Sequence, residues 1–169
     1  MPQIPKMNAK TSLPKAMPKI LSNVKSEDEP KPTNSMDKIL QDLVNQMFMM
    51  YFKVHKYHWN VTGPQFFELH EMFGEMYDDI WSNIDKTAEY IRILGKMTDI
   101  SVGGQVGSAS TPDAMIKDIL KSNKGMLDAL YAAEEAAEYY DHCDMANFMA
   151  DRIDQHNKYN WMLTAFGGK

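Results

Sequence analysis

The chain is poor in cysteine and has no long apolar run. Its one thiol, Cys143, cannot close an intrachain disulfide, so the fold rests on packing and suits a reducing compartment. No stretch of about eighteen apolar residues is present, which argues against a membrane-spanning helix. The amino end lacks the continuous apolar segment and small-residue cleavage site of a secretory signal. Paired-cysteine zinc motifs, glycine-rich phosphate loops, internal repeats and strand-like alternation are also missing. Asp141 and Asp144 flank Cys143 and disfavour its thiolate, which argues against a cysteine nucleophile. These absences leave a cytoplasmic protein with no membrane partner and no organic cofactor as the expectation.

What is present is unevenly distributed. Six of the eight prolines lie within residues 1–35, and Lys6, Lys10, Lys15, Lys19 and Lys25 precede the first acidic residue, Glu27. Residues 1–35 therefore read as a flexible Lys/Pro-rich tail and residues 36–169 as one domain. Six lysines against three acids put +3 on the tail, so the −5 of the whole chain places −8 on the body. A basic arm of this kind can bind DNA by displacing counterions from phosphates, or can serve only as a solubilising linker. The missing arginines weaken a targeting role.

From Ser35 onward the periodicity is helical. Leu40, Leu43, Met47, Tyr51, Val54 and His58 follow steps of three and four, with Ser35 as a candidate N-cap. A second helix is expected from about Pro64 to Gly95, with Phe66, His70, Phe73, Tyr77, Ile80, Ile84, Ala88 and Ile91 on one face. Residues 96–110 are rich in glycine and serine. Thr111-Pro112-Asp113 then opens a third helix running to about Tyr140, and after a turn at residues 141–144 a fourth runs to about Phe166. Two long helices, a longer connection and two more describe an all-α four-helix bundle with one crossover between helices two and three. The fifteen methionines could hold a soft metal such as copper, but those among Phe48, Tyr51 and Phe52 fit core packing better.

The chemistry concentrates between His58 and Glu89. His58 ends one apolar stripe and His70 interrupts another, while Asp85 and Glu89 stand one helical turn apart. Taken singly, each histidine reads as a core residue satisfied by one hydrogen bond and each acid as part of a solvated face. Together, imidazoles and carboxylates suit iron better than a structural zinc, whose closed sites favour cysteine and histidine. Fifteen residues separate His70 from Asp85, roughly 22 Å of helix rise, so one chain cannot easily close this site. A two-fold dimer can, by setting the His70 end of one helix beside the Asp85 end of its antiparallel copy.

These residues carry a resemblance. The run His58-Trp59-Asn60-Val61 through Gly63-Pro64, Phe66, Leu69-His70, Phe73, Tyr77, Asp85, Ala88-Glu89 and Leu94-Gly95 resembles the signature of the Dps family, the miniferritins. The stretch Ala150 to His156, with Trp161-Met162-Leu163, is similar to that family's last helix. The resemblance implies a ferritin-like bundle assembled into a hollow dodecamer. It also implies a ferroxidase that oxidises ferrous iron, preferably with hydrogen peroxide, and stores the ferric product as mineral. His58 and His70 would be iron ligands from one subunit, Asp85 and Glu89 would come from its two-fold mate, and Trp59 would sit beside the site.

Some family members bind DNA through lysine-bearing tails, so nucleoid association and a structural DNA-binding cage form the alternative. One position departs from the family: the carboxylate expected four residues after the second histidine is replaced by Gly74. Glu75 cannot substitute, lying about 140° around the helix from His70 rather than about 40°. His55 is the nearest spare imidazole, otherwise a surface histidine. The connection after helix two is short for the family and poorly suited to the small helix often found there. Asp141, Asp144 and Asp151 match the position of an acidic iron-entry pore, or are simply acids near the start of a helix.

Overall fold

In the computed structural model, which describes residues 31–167, the chain forms four helices. They are α1 (Met36–Asn60), α2 (Phe66–Ile93), α3 (Pro112–Tyr139) and α4 (Cys143–Gly167), and no strand occurs among the described residues. The tail lysines from Lys6 to Lys25 lie outside them. α1 packs against α2 and α3, and α3 against α4, giving the expected all-α bundle with one long crossover. Among the described residues no helix is long and apolar enough to cross a membrane.

Each helix buries one stripe. Leu40, Leu43, Met47, Met50 and Val54 of α1 meet Leu69, Phe73, Met76, Ile80 and Ile84 of α2, all at 5 % exposure or less. α3 contributes Met115, Ile119, Met126 and Leu130, and α4 contributes Met145, Met149 and Leu163. Burying such a side chain is worth about 1.5–3 kcal/mol, which is what holds these helices together. The many buried methionines bear out the packing reading. The stripes are displaced from expectation at six places: Tyr51, His58, His70, Tyr77 and Ala88 are only half-buried and Phe66 is exposed. They flank the core where the edges of α1 and α2 meet, so the outer part of each stripe faces a second, more polar cluster.

The helix ends correct one expectation and support three. Ser35 occupies the N-cap of α1, but its hydroxyl caps nothing; its carbonyl takes the first backbone bonds, from Lys38 and Ile39. Pro64 belongs to a turn rather than to the first turn of α2, because Gly63 sits at φ +101° and accepts from the Phe66 amide, which delays the helix to Phe66. Thr111 caps α3 as expected, its hydroxyl accepting from the Ala114 amide at 3.4 Å ahead of Pro112 and Asp113. Gly95, at φ +75°, ends α2 as expected, with its amide and that of Lys96 closing back on Arg92 and Ile91. Asp141 does the same for α3 at φ +62°, a conformation that aspartate tolerates better than most residues.

The crossover contains no helix, in line with its glycine and serine content. It is strapped along α1 by side chains that satisfy its backbone. Gln41 exchanges two hydrogen bonds with Asp99, and Asn45 accepts from the Ser101 amide at 3.0 Å. Lys56 donates to the carbonyls of Val106 and Gly107. Gly107 is pressed so closely on the Tyr57 hydroxyl that a Cβ would fall 2.4 Å from it. That hydroxyl donates to Asp118, which also accepts from Lys53 at 2.8 Å. Burial and then the Asp118 contact push the Tyr57 phenol up to about 12. Burial raises the Asp118 carboxyl, but Lys53 and Tyr57 outweigh it and hold it below the usual carboxylate range.

Candidate metal centre

The two histidines of the sequence motif meet although they lie on different helices. His58 is near the end of α1 and His70 near the start of α2, and the short turn between these helices folds one ring over the other. Their centroids stand 3.7 Å apart with the planes 20° from parallel. The His58 Nδ1–H donates to the His70 carbonyl at 2.8 Å, and the His70 Nδ1–H donates to the His58 carbonyl at 2.9 Å. A carbonyl cannot donate, so each Nδ1 must carry a proton, and in the neutral ring the lone pair is then on Nε2. A backbone carbonyl orienting the far nitrogen is the usual support of a metal-ligating histidine.

Gly74 faces this pair. A Cβ there would lie 3.4 Å from His58 Cε1 and 3.5 Å from Nδ1, an ordinary van der Waals contact. A carboxylate at position 74 would therefore stand at the His58 ring, whereas Glu75 is exposed on another face.

His55 is held inside an aromatic cluster. Its ring stacks on Tyr77 at 4.0 Å between centroids, lies 4.3 Å from Trp59, and its Nδ1 is 3.1 Å from the Tyr51 hydroxyl. Burial, then the neighbouring His58, lower its pKa, against an opposing pull from Asp78. Its ring centroid is 6.1 Å from that of His58. Trp59, next to His58 in the chain, is 67 % exposed and its ring lies against His55.

Asp85 and Glu89 are exposed, farther along the uninterrupted α2. Asp85 lines an open groove of about 510 Å³ with Phe48, Trp81 and Ile100, and Trp81 and Ile100 are themselves more than half exposed. Among the described residues no three His, Cys, Asp or Glu side chains gather into a metal-holding group. Asp141, Asp144 and Asp151 are exposed at and beyond the α3–α4 turn, and Asp141 has the helix-ending role described above.

Sequence periodicity placed Tyr51 and Tyr77 on the apolar stripes but did not mark them, or Trp81, as neighbours of the pair. Tyr77 is 5.1 Å from His58, Tyr51 is 6.1 Å from Tyr77, and Trp81 is 5.2 Å from Tyr51, all between ring centroids. A legible signal existed: His70, Gly74, Tyr77, Trp81 and Asp85 form one continuous stripe in steps of four, three, four and four.

The chain matches the family model of the ferritin-like domain over residues 37–169. It is 31 % identical to DNA protection during starvation protein 2 of Bacillus anthracis, over 76 % of this chain and 93 % of the relative. Its fold is similar to that of the Dps protein of Vibrio cholerae O1, a member of the ferritin-like diiron-carboxylate superfamily. That likeness has a TM-score of 0.72 and 25 % identity, and covers 78 % of this chain and 87 % of the other. The Dps of Listeria monocytogenes shares the fold at TM-score 0.75 and 20 % identity, over 81 % of this chain and 96 % of the other.

Proposed function

This chain belongs to the Dps family of ferritin-like proteins, and on that premise we propose that it oxidises ferrous iron, preferably with hydrogen peroxide, and stores the ferric product inside a hollow homo-oligomer. The observation that carries the reading is the reciprocal bonding of His58 and His70, which orients both rings through Nδ1 and leaves Nε2 as the nitrogen that would bind a cation in the neutral ring. Neutral imidazole binds ferrous iron, and carboxylate oxygen favours the harder ferric product. Asp85 and Glu89, out of reach on the same helix, are assigned to the site of the two-fold mate, so that each dimer holds two equivalent sites. The apolar groove around Asp85 is the kind of surface a second copy would cover. Twelve such chains form the cage in this reading, Asp141, Asp144 and Asp151 lead cations inward, and the −8 of the body attracts them. Oxidation removes ferrous iron and peroxide together, and so protects the cytoplasm.

The test is anaerobic ferrous loading of the assembled protein followed by peroxide. Site-dependent oxidation that falls in His58→Ala and in Asp85→Ala supports the assignment; wild-type rates in both variants exclude it. Gly74 favours a second reading, in which the cage survives with weakened oxidation and chiefly binds DNA through Lys6, Lys10, Lys15, Lys19 and Lys25. Deleting residues 1–25 should then abolish salt-sensitive DNA retention while assembly persists. Equal retention without the tail excludes that version.

A further inference from the structure

A thioether reacts with peroxide only where its sulfur can be reached. Of the twelve methionines among the described residues, eight are buried, Met49, Met72 and Met162 are half-buried, and Met97 alone is exposed, at 80 %. Met97 stands in the first residues of the crossover, between two anchored points. On one side Gly95 turns the chain out of α2, and the Gly95 and Lys96 amides close back on Arg92 and Ile91. On the other, Gln41 holds Asp99 by two hydrogen bonds. Arg92 Nη1 reaches past the end of α2 and donates to both the Lys96 carbonyl and the Met97 sulfur. The sulfur is therefore open to solvent and fixed against a cation at once.

We propose that Met97 is a peroxide-modified site: hydrogen peroxide converts its thioether to the sulfoxide, and the Arg92 guanidinium assists the step and then holds the product. The sulfur attacks one peroxide oxygen. The S–O bond forms as the O–O bond breaks, and the departing hydroxide takes the proton left on the transferred oxygen and becomes water. Sulfur loses two electrons and peroxide gains them, so the step needs no metal and no further reductant. The guanidinium charge offsets the negative charge that builds on the departing oxygen. A thioether is a weak acceptor, whereas the sulfoxide carries a polar oxygen whose hydrogen bond from the guanidinium is charge-assisted. Oxidation thus tightens the staple between the end of α2 and the crossover, whose next residues, Thr98, Asp99 and Ile100, line the Asp85 groove. Reductases return methionine sulfoxide to the thioether, and the exposure that admits peroxide leaves Met97 open to them, so the mark is reversible. The inference stands apart from iron oxidation, since peroxide acts here on sulfur alone.

Two measurements test this. In the first, the iron-free assembled protein is treated with hydrogen peroxide, stopped with catalase and digested for peptide mass spectrometry. Gain of one oxygen should appear at Met97 severalfold faster than at Met49, Met72 or Met162, and severalfold more slowly in Arg92→Gln than in wild type. Oxidation of Met97 no faster than at the half-buried sites overturns the proposal, because the sulfur is then covered in the assembly. A Met97 rate that Arg92→Gln leaves unchanged also overturns it, because the thioether is then merely exposed. In the second, amide hydrogen exchange is followed on the same samples. Oxidation should slow exchange severalfold across residues 96–100 in wild type, and peroxide should leave that segment unchanged in Met97→Leu, which keeps the apolar bulk without the sulfur. Exchange that is unaltered or faster in oxidised wild type overturns the tightened staple. Methionine sulfoxide reductases with a dithiol should restore the original mass and exchange; a mark that survives them overturns its reversibility.

Discussion

His58 and His156 both stand at helical spacing on an apolar stripe, yet their surroundings give them opposite chemistry. His156 of α4 is 3 % exposed; its Nδ1–H donates to the Asn123 side-chain oxygen at 2.7 Å, and the Asn123 amide donates back to the His156 carbonyl at 2.9 Å. Burial depresses its pKa to about 4. Nearby, Arg152 and Asp79 form a half-buried ion pair at 2.9 Å that ties α4 to α2, and burial followed by the Asp79 charge pushes the Tyr159 phenol well above its usual value. This inner histidine belongs to a sealed network that joins α3 to α4. His58 is oriented by a carbonyl in a similar way, but it lies half-buried at a bundle edge with a second ring against it. On the proposed reading the difference is one of access: an oriented histidine can serve as a ligand only where its other nitrogen is not sealed inside the fold.

The sharpest way to break the comparison is to exchange the consequences of mutation. His58→Ala should lower ferrous oxidation by at least about 100-fold, beyond the upper range for losing a mere supporting contact, while leaving the denaturation midpoint almost unchanged. Stopped-flow absorbance of ferric product and urea unfolding at one fixed protein concentration check the two halves. A His58→Ala variant that is strongly destabilised yet, while folded, oxidises ferrous iron at the wild-type rate would place His58 with His156. Conversely, Asn123→Ala should leave oxidation untouched and cost about 3 kcal/mol, because it strands a buried ring N–H and a carbonyl at once.

Acid sharpens the contrast further. The folded pKa of His156 lies below the ordinary 6.5, so the unfolded chain binds the proton more readily. Its contribution is fully present above about 6.5, falls by about 1.4 kcal/mol per pH unit on acidification, and levels off near pH 4. Between pH 7 and pH 5 wild type should lose about 2 kcal/mol from this group alone. His156→Gln, which cannot titrate, should show a correspondingly flatter curve; parallel curves would mean that the imidazole is not the titrating group.

The fold was legible because it depends on periodicity and on a few stop signals. Thr111-Pro112, Gly95 and the stripes of Leu, Ile and Met define four helices with little tertiary information. The Pro64 turn misled because whether a turn delays a helix depends on one or two backbone dihedrals that residue type does not determine. The candidate site was legible as a list of residues and not as an arrangement. Spacing could place His58 and His70 on facing stripes, but the exchange of Nδ1–H bonds between two helices depends on side-chain torsions at both ends of the connecting turn. The Gly107 contact with Tyr57 and the pairing of Asn123 with His156 are long-range meetings of the same kind.

Gly74 is where the two kinds of region can be separated at a single residue. A glycine inside a helix costs about 1 kcal/mol relative to alanine. Its would-be Cβ meets only His58, at ordinary contact distance. Gly74→Ala should therefore raise stability by up to about 1 kcal/mol and leave ferrous affinity where it is, as at a structural position. Gly74→Asp should gain less stability, since aspartate is a poorer helix former than alanine, but it places a carboxylate at the His58 ring. If the pair is an open metal site, ferrous binding by calorimetry should tighten in the aspartate variant only. If both variants merely stabilise the helix, His58 and His70 form a structural clasp like His156 and Asn123, and the iron chemistry must be sought elsewhere in the fold.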